Sequence, residues 1–202
     1  IMMTNRFSLA VHGGAGTIKK ENMTPELEIQ YNEKLSEAIK SGYEILKNGG
    51  DAMDAVEASI RIMEDSPLFN SGKGAVFTHD GINSLDASFM DGKTLNAGAV
   101  AGVTTVKNPI SLARKVMTDS EHVLLSGTGA DEFAKSLSYD NIEIVENSYF
   151  FTENRYQSLQ RVLAKEKEND QKTALLELED PFIKDSKYGT VGCVALDKNG
   201  NI

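Results

Sequence analysis

The residues with the most chemical potential lie near the end of the sequence, in Tyr188-Gly189-Thr190-Val191-Gly192. A threonine hydroxyl is a poor nucleophile unless a base sits beside it. Cleavage of the Gly189–Thr190 bond would supply that base from the same residue. The new α-amine has a reference pKa of about 7.7 to 8.0, close to what a general base near neutrality requires. The surroundings suit such a step: a charged stretch before the bond, a glycine that tolerates strained geometry, and the apolar run Val191–Leu196 to hold the threonine in a strand. The same Thr190 also reads as an ordinary β-branched residue opening that strand.

A second stretch with chemical potential runs from Met63 to Gly74, "MEDSPLFNSGKG". A hard cation could be held there by the carboxylates of Glu64 and Asp65 or by main-chain carbonyls of an irregular loop. Composition alone favours a solvated turn. "HGGAGT", His12 to Thr17, follows an apolar run as anion-cradling loops do. It lacks the Lys-Ser/Thr pair of a Walker loop and the third spaced glycine of a dinucleotide fingerprint, so a tight turn accounts for it. "SGTGADEFA", from Ser126, reads the same way. Asp86 and Asp91 flank "ASFM" and form either an acid–base pair or, more commonly, turn caps. His12, His79 and His122 are far apart and no H-x-x-x-H or C-x-x-C pair occurs, which gives little support to a transition-metal site needing three ligands.

These residues must be positioned by alternating strands and helices. Phe7–Val11 reads as a strand. Thr24 caps a helix with Pro25 in its first turn and an exit at Gly49-Gly50, burying Leu27, Tyr31, Leu35, Ile39 and Leu46. Asp51 starts a second helix that packs through Ala55, Val56, Ser59, Ile60 and Met63. A strand is expected from Ala75, then two strands around Asp91-Gly92, with the small residues Ala97–Gly102 packed tightly on something else. Asn108 and Pro109 open a helix, His122–Gly127 forms a strand, Thr128–Leu137 a helix, and Thr152 to about Lys167 another with Tyr156, Leu159, Val162 and Leu163 on one face. About 168–189 is dense in charge, interrupted by Pro181, and reads as a mobile linker. Asn199-Gly200 signals a type I′ hairpin, yet only Asn201 and Ile202 follow, so the chain is expected to be incomplete. The hairpin links call for antiparallel pairs, and the element order suggests a four-layer αββα sandwich within the α/β class.

Composition narrows the function. The 202 residues carry a net charge of −9, which argues against a nucleic-acid partner. One cysteine, Cys193, excludes an internal disulfide framework. The N-terminal residues lack the pattern of a signal peptide, and no apolar run approaches a membrane span, so a cytoplasmic protein without membrane attachment is expected.

Several segments occur together in a recognisable order: "AVHGGAG", "DAVEASI", "SPLFNSGKGAVF", "LDASFMDG", "NAGAVAGV", "NPISLARKVM", "EHVLLSGTGADEFA" and "YGTVGCVALDKNGNI". In this the chain resembles the isoaspartyl peptidase/L-asparaginase (plant-type asparaginase) family of N-terminal nucleophile hydrolases. The resemblance implies a precursor that cuts itself at Gly189–Thr190. Residues 1–189 would be the α-chain part of one catalytic domain, and 190–202 the first strand of a truncated β-chain part. It implies Thr190 as nucleophile, Asn70 as active-site support, and a sodium ion on the backbone oxygens of Met63, Glu64, Ser66, Phe69, Ser71 and Lys73, with no organic cofactor. The implied substrates are L-asparagine and β-aspartyl dipeptides, cleaved to L-aspartate, and the implied assembly is a dimer of αβ units completed by the missing β-chain. Glycosylasparaginase activity, or a non-catalytic truncated paralogue acting as a binding module, are the alternatives.

Overall fold

The computed structural model describes residues 6–14, 23–137, 141–170 and 191–202. Strand β1 (Ser8–His12) leads the chain, and helices α1 (Pro25–Lys47) and α2 (Ala52–Glu64) follow. Thr24 caps α1 as the sequence predicts: its hydroxyl accepts the Leu27 N–H at 3.2 Å. The face that α1 buries is Tyr31, Leu35, Ala38, Gly42 and Leu46, whereas Ile39 is exposed. The two helices lie close together, and the Ser59 hydroxyl on α2 donates to the Ala38 carbonyl on α1 at 2.9 Å.

The second half of the described chain builds β2 (Leu85–Met90), β3 (Ala97–Val103), α3 (Pro109–Asp119), β4 (Leu124–Ser126), α4 (Gly127–Ser136), α5 (Glu153–Asp170) and β5 (Gly192–Leu196). These strands form a three-stranded sheet ordered β2-β3-β4 and a separate pair, β1-β5. β2 and β3 are antiparallel, β3 and β4 parallel, and β1 and β5 antiparallel with His12 opposite Gly192 and Val11 opposite Cys193. The architecture is therefore mixed α/β. Helices α1 and α2 pack on the β1-β5 pair, while α3 packs on β2 and β3. The small residues of β3 serve that second contact: a Cβ on Gly98 would fall 2.2 Å from the Ala113 carbonyl of α3.

One large apolar cluster, including Met63, Phe69, Phe89, Val100, Leu112 and Phe150, fills the centre, and a smaller one around Leu46, Ala55 and Ala195 sits under β5. Residues 15–22, most of the predicted 168–189 linker, Gly189 and Thr190 lie outside the described residues; α5 itself continues to Asp170.

Several local expectations are corrected. No strand starts at Ala75. The Ala75 and Val76 carbonyls accept from the Asn83 amide at 3.0 and 3.2 Å, and the Val76 N–H goes to the Asn70 side chain at 3.0 Å. With its backbone groups claimed by side chains, the segment keeps only an isolated bridge between Phe77 and Asn83. Asn108 stands at the N-cap of α3 with Pro109 following, as expected, but its amide donates to Asp65, and the Glu64 carboxylate rather than the Asn108 side chain accepts the Ile110 N–H. The Asn199-Gly200 turn is not type I′, because only Gly200 has a positive φ (83°). Gly200 N–H donates to the Asp197 carbonyl and Asp197 N–H to that of Asn201, the pattern of a type I turn closed by a glycine bulge. Asp86 and Asp91 do not pair: Asp86 lies in β2 and Asp91 just past its end, and each carboxylate is taken by its own partners. Asp86 instead accepts the Gly102 N–H at 2.8 Å, where β3 carries an extra residue against β2. Asp91 folds back on its own turn, accepting the Lys93 N–H and the Thr94 hydroxyl.

Candidate active site

The chain emerging from position 190 enters β5 beside a groove of about 490 Å³. Val191, Gly192 and Cys193 line one side, and Ser71, Asp86, Ser88 and Ile110 are among those lining the rest. The structure thus brings the neighbour of Thr190 and the neighbour of Asn70 to one groove, although they are 120 positions apart in sequence. Thr190 and Gly189 themselves lie outside the described residues. Cys193 also brings a nucleophilic group to the groove. Burial pushes its thiol up to about 11, with only partial relief from the Ser59 hydroxyl, so it is not a thiolate near neutrality.

The loop that supplies Ser71 runs from the end of α2 to Val76. Met63, Glu64, Ser66 and Phe69 are buried, and the Phe69 ring meets Tyr31 edge-on at 5.6 Å. The Lys73 ammonium sits 4.8 Å from the centre of the Tyr149 ring. Asn70 turns its side-chain oxygen to the Val76 N–H, pinning the loop across six residues.

Two glycines let the loop close on itself. A Cβ on Gly72 (φ 50°) would fall 2.3 Å from the Glu64 carbonyl, and one on Gly74 would fall 2.0 Å from that of Phe69. The loop therefore gathers main-chain oxygens into space that side chains would fill. The carbonyls of Met63, Phe69 and Ser71 each accept one backbone N–H, from Ser66, Ser71 and Gly74. Those of Glu64, Ser66 and Lys73 accept no hydrogen bond among the described residues. Neutral oxygens with open lone pairs are the donor type that hard cations take.

Glu64 is the electrostatic oddity of the site. Its Oε1 accepts the Ile110 N–H at 3.0 Å at the start of α3, while Oε2 is buried without a partner. Burial pushes this carboxyl up to about 8, against the smaller opposing pull of the Ile110 N–H and the Asn108 amide.

Sequence reasoning missed the residues that hold the loop from outside. The Tyr31 hydroxyl donates to the Leu68 carbonyl at 2.8 Å, across 37 positions. The Arg155 Nε donates to the Gly74 carbonyl at 2.9 Å, across 81. The Asn83 amide serves two further carbonyls, and Asn83 is itself held by Asn147. No local spacing connects these residues; only the folded chain does.

Residues 5–202 match the Asparaginase_2 family profile, described as asparaginase. The isoaspartyl peptidase of Salmonella typhimurium is 44% identical over 198 residues, covering 98% of this chain and 61% of the relative. That of Escherichia coli K12 is 44% identical over 194 residues, covering 96% of this chain and 58% of the relative. The plant-type L-asparaginase of Thermococcus kodakarensis is 44% identical over 195 residues, covering 94% and 59%. The chain spans about three fifths of the length of these relatives.

Proposed function

From the premise that this chain belongs to the asparaginase family, we propose that it is the larger part of an amidohydrolase precursor that cuts itself at Gly189–Thr190 and then uses Thr190 as an N-terminal nucleophile. The observation that carries the reading is the shared groove, where Val191 and Ser71 bring the neighbourhoods of Thr190 and Asn70 together. On this reading the β1-β5 pair and the β2-β3-β4 sheet are the inner layers of an αββα sandwich, with the helices outside.

In the precursor, the Thr190 hydroxyl attacks the Gly189 carbonyl. The acyl group moves from nitrogen to oxygen, and water hydrolyses the ester, leaving Thr190 with a free α-amine. In turnover that amine takes the hydroxyl proton as the oxygen attacks the side-chain carbonyl of L-asparagine or a β-aspartyl dipeptide. Ammonia or the amino component of the peptide leaves with a proton, and water releases L-aspartate from the ester. Asn70, pinned to Val76, steadies the wall from which Ser71 reaches the groove. The names of the relatives favour these substrates over glycosylasparagine.

The loop carbonyls of Met63, Glu64, Ser66, Phe69, Ser71 and Lys73 would hold a sodium ion, which supplies rigidity to the groove wall. The gathered oxygens and the open Glu64, Ser66 and Lys73 carbonyls fit that group.

Mass spectrometry and N-terminal sequencing of the complete protein test the proposal. Two fragments are expected, the second beginning Thr-Val-Gly-Cys, together with release of L-aspartate. Thr190→Ala should stay whole and inactive, and Thr190→Ser should cleave slowly. Cleavage at another bond, or asparaginase activity in uncut Thr190→Ala, would refute the assignment.

A further inference from the structure

The side chains that grip the Met63–Val76 loop from outside do not grip it at random. Tyr31 takes the Leu68 carbonyl, Arg155 that of Gly74, and Asn83 those of Ala75 and Val76. None of these four carbonyls belongs to the six assigned to the cation. The three that accept nothing among the described residues, those of Glu64, Ser66 and Lys73, all do. A peptide plane points its oxygen one way at a time, so drawing one carbonyl outward restricts where its neighbours point. The contact from Arg155 is charge-assisted, and the one from Tyr31 comes from a ring already wedged against Phe69.

We propose that Tyr31 and Arg155 are positioning residues that sort the carbonyls of this loop and thereby set its affinity for a monovalent cation, an inference that rests on the sodium reading above. Tyr31 acts from α1, and Arg155 acts from the first turn of α5, so the two helices clamp the loop at Leu68 and at Gly74. The guanidinium spends its Nε on a carbonyl that the cation does not need. Loss of affinity on removing this bond is what orientation requires, so the sign of the Arg155 effect is diagnostic.

The test uses the complete protein, with thermal unfolding followed across a titration of sodium chloride against N-methylglucamine chloride at constant ionic strength. Sodium-23 NMR linewidths provide a second readout of binding. Wild type should be stabilised by sodium. Arg155→Met keeps the aliphatic stem and removes every donor, and should raise the half-saturating sodium concentration roughly tenfold, the size expected for losing one charge-assisted bond. Tyr31→Phe keeps the ring on Phe69 and should raise it roughly fivefold, as for a neutral bond. Arg155→Lys should recover part of the loss. Equal loss of thermal stability in both salts, with unchanged half-saturation, would show the two residues to be structural only and overturn the inference. Tighter sodium binding in Arg155→Met would also overturn it. A wild type indifferent to sodium would remove the sodium reading itself, and the inference with it.

Discussion

The loop from Met63 to Val76 and the turn from Asp197 to Asn201 are both irregular, both carry glycine, and both are organised around a buried carboxyl group. They solve the same problem in opposite ways. Asp197 satisfies itself largely with its own neighbourhood, accepting the Asn199 N–H, the Asn201 N–H and the Asn201 amide, with one longer contact of 3.4 Å to Ala52. Burial alone would raise its pKa, but the donors together outweigh that and hold it below the usual carboxylate range. Glu64 has the Ile110 N–H, 46 positions away, on one oxygen and no hydrogen-bond partner on the other, so burial prevails over that bond and the smaller pull of the Asn108 amide, and the carboxyl is pushed up. The turn draws its hydrogen bonds mostly from its own residues. The loop depends on distant partners, and its Glu64, Ser66 and Lys73 carbonyls accept no hydrogen bond among the described residues.

The glycines give the sharpest test of that contrast. Gly74→Ala would force a methyl to within 2.0 Å of the Phe69 carbonyl and should cost roughly 3 kcal/mol in urea denaturation of the complete protein. A cost under 1 kcal/mol would mean that the loop relaxes freely and that the contrast fails. Asp197→Ala should cost about 2 kcal/mol, because several inward donors lose a charged acceptor at once.

The two carboxyls also predict opposite pH limbs. Glu64 binds its proton more tightly folded than unfolded, so its contribution to stability declines as pH rises from about 5 towards 8. In sodium-free buffer Glu64→Gln should flatten this decline while keeping an oxygen for the Ile110 N–H. Asp197 has the reverse sign: its contribution is present above the unfolded carboxylate pKa and is lost as acid brings pH down through the lower folded value. Chemical denaturation between pH 3 and 9 separates the two. The smallest effect should be Gly200→Ala, where the added Cβ meets nothing within 4 Å and only the positive φ is strained, at about 1 kcal/mol.

The same distinction decides what was legible in the sequence. Thr24 as a cap, the packing face of α2 and the tight fit of the small residues in β3 were readable because each depends on neighbours in the chain or on size alone. Asn108 and Pro109 were rightly placed at the start of α3, but nothing local showed that Glu64, 46 positions away, would take the Ile110 N–H. The strand expected at Ala75 failed because Asn70 and Asn83 claim the backbone groups a ladder would need. The groove residues Ser71 and Ser88 carried no local signal, whereas the loop containing Ser71 was marked by its small residues and by resemblance. Asp86 drew notice as an acid, yet its visible task is to close a bulge.

The Tyr31 hydroxyl on Leu68 has an optical consequence. The chain has six tyrosines and no tryptophan, so tyrosine absorbance and emission are not masked by indole. A phenol that donates to a carbonyl absorbs slightly to the red of a hydrated one. Burial also raises the Tyr31 pKa, with Arg155 pulling weakly the other way, so its ionisation band should appear after those of exposed tyrosines. The difference spectrum between wild type and Tyr31→Phe therefore gives the loop an intrinsic chromophore, and its geometry can be followed without any attached label.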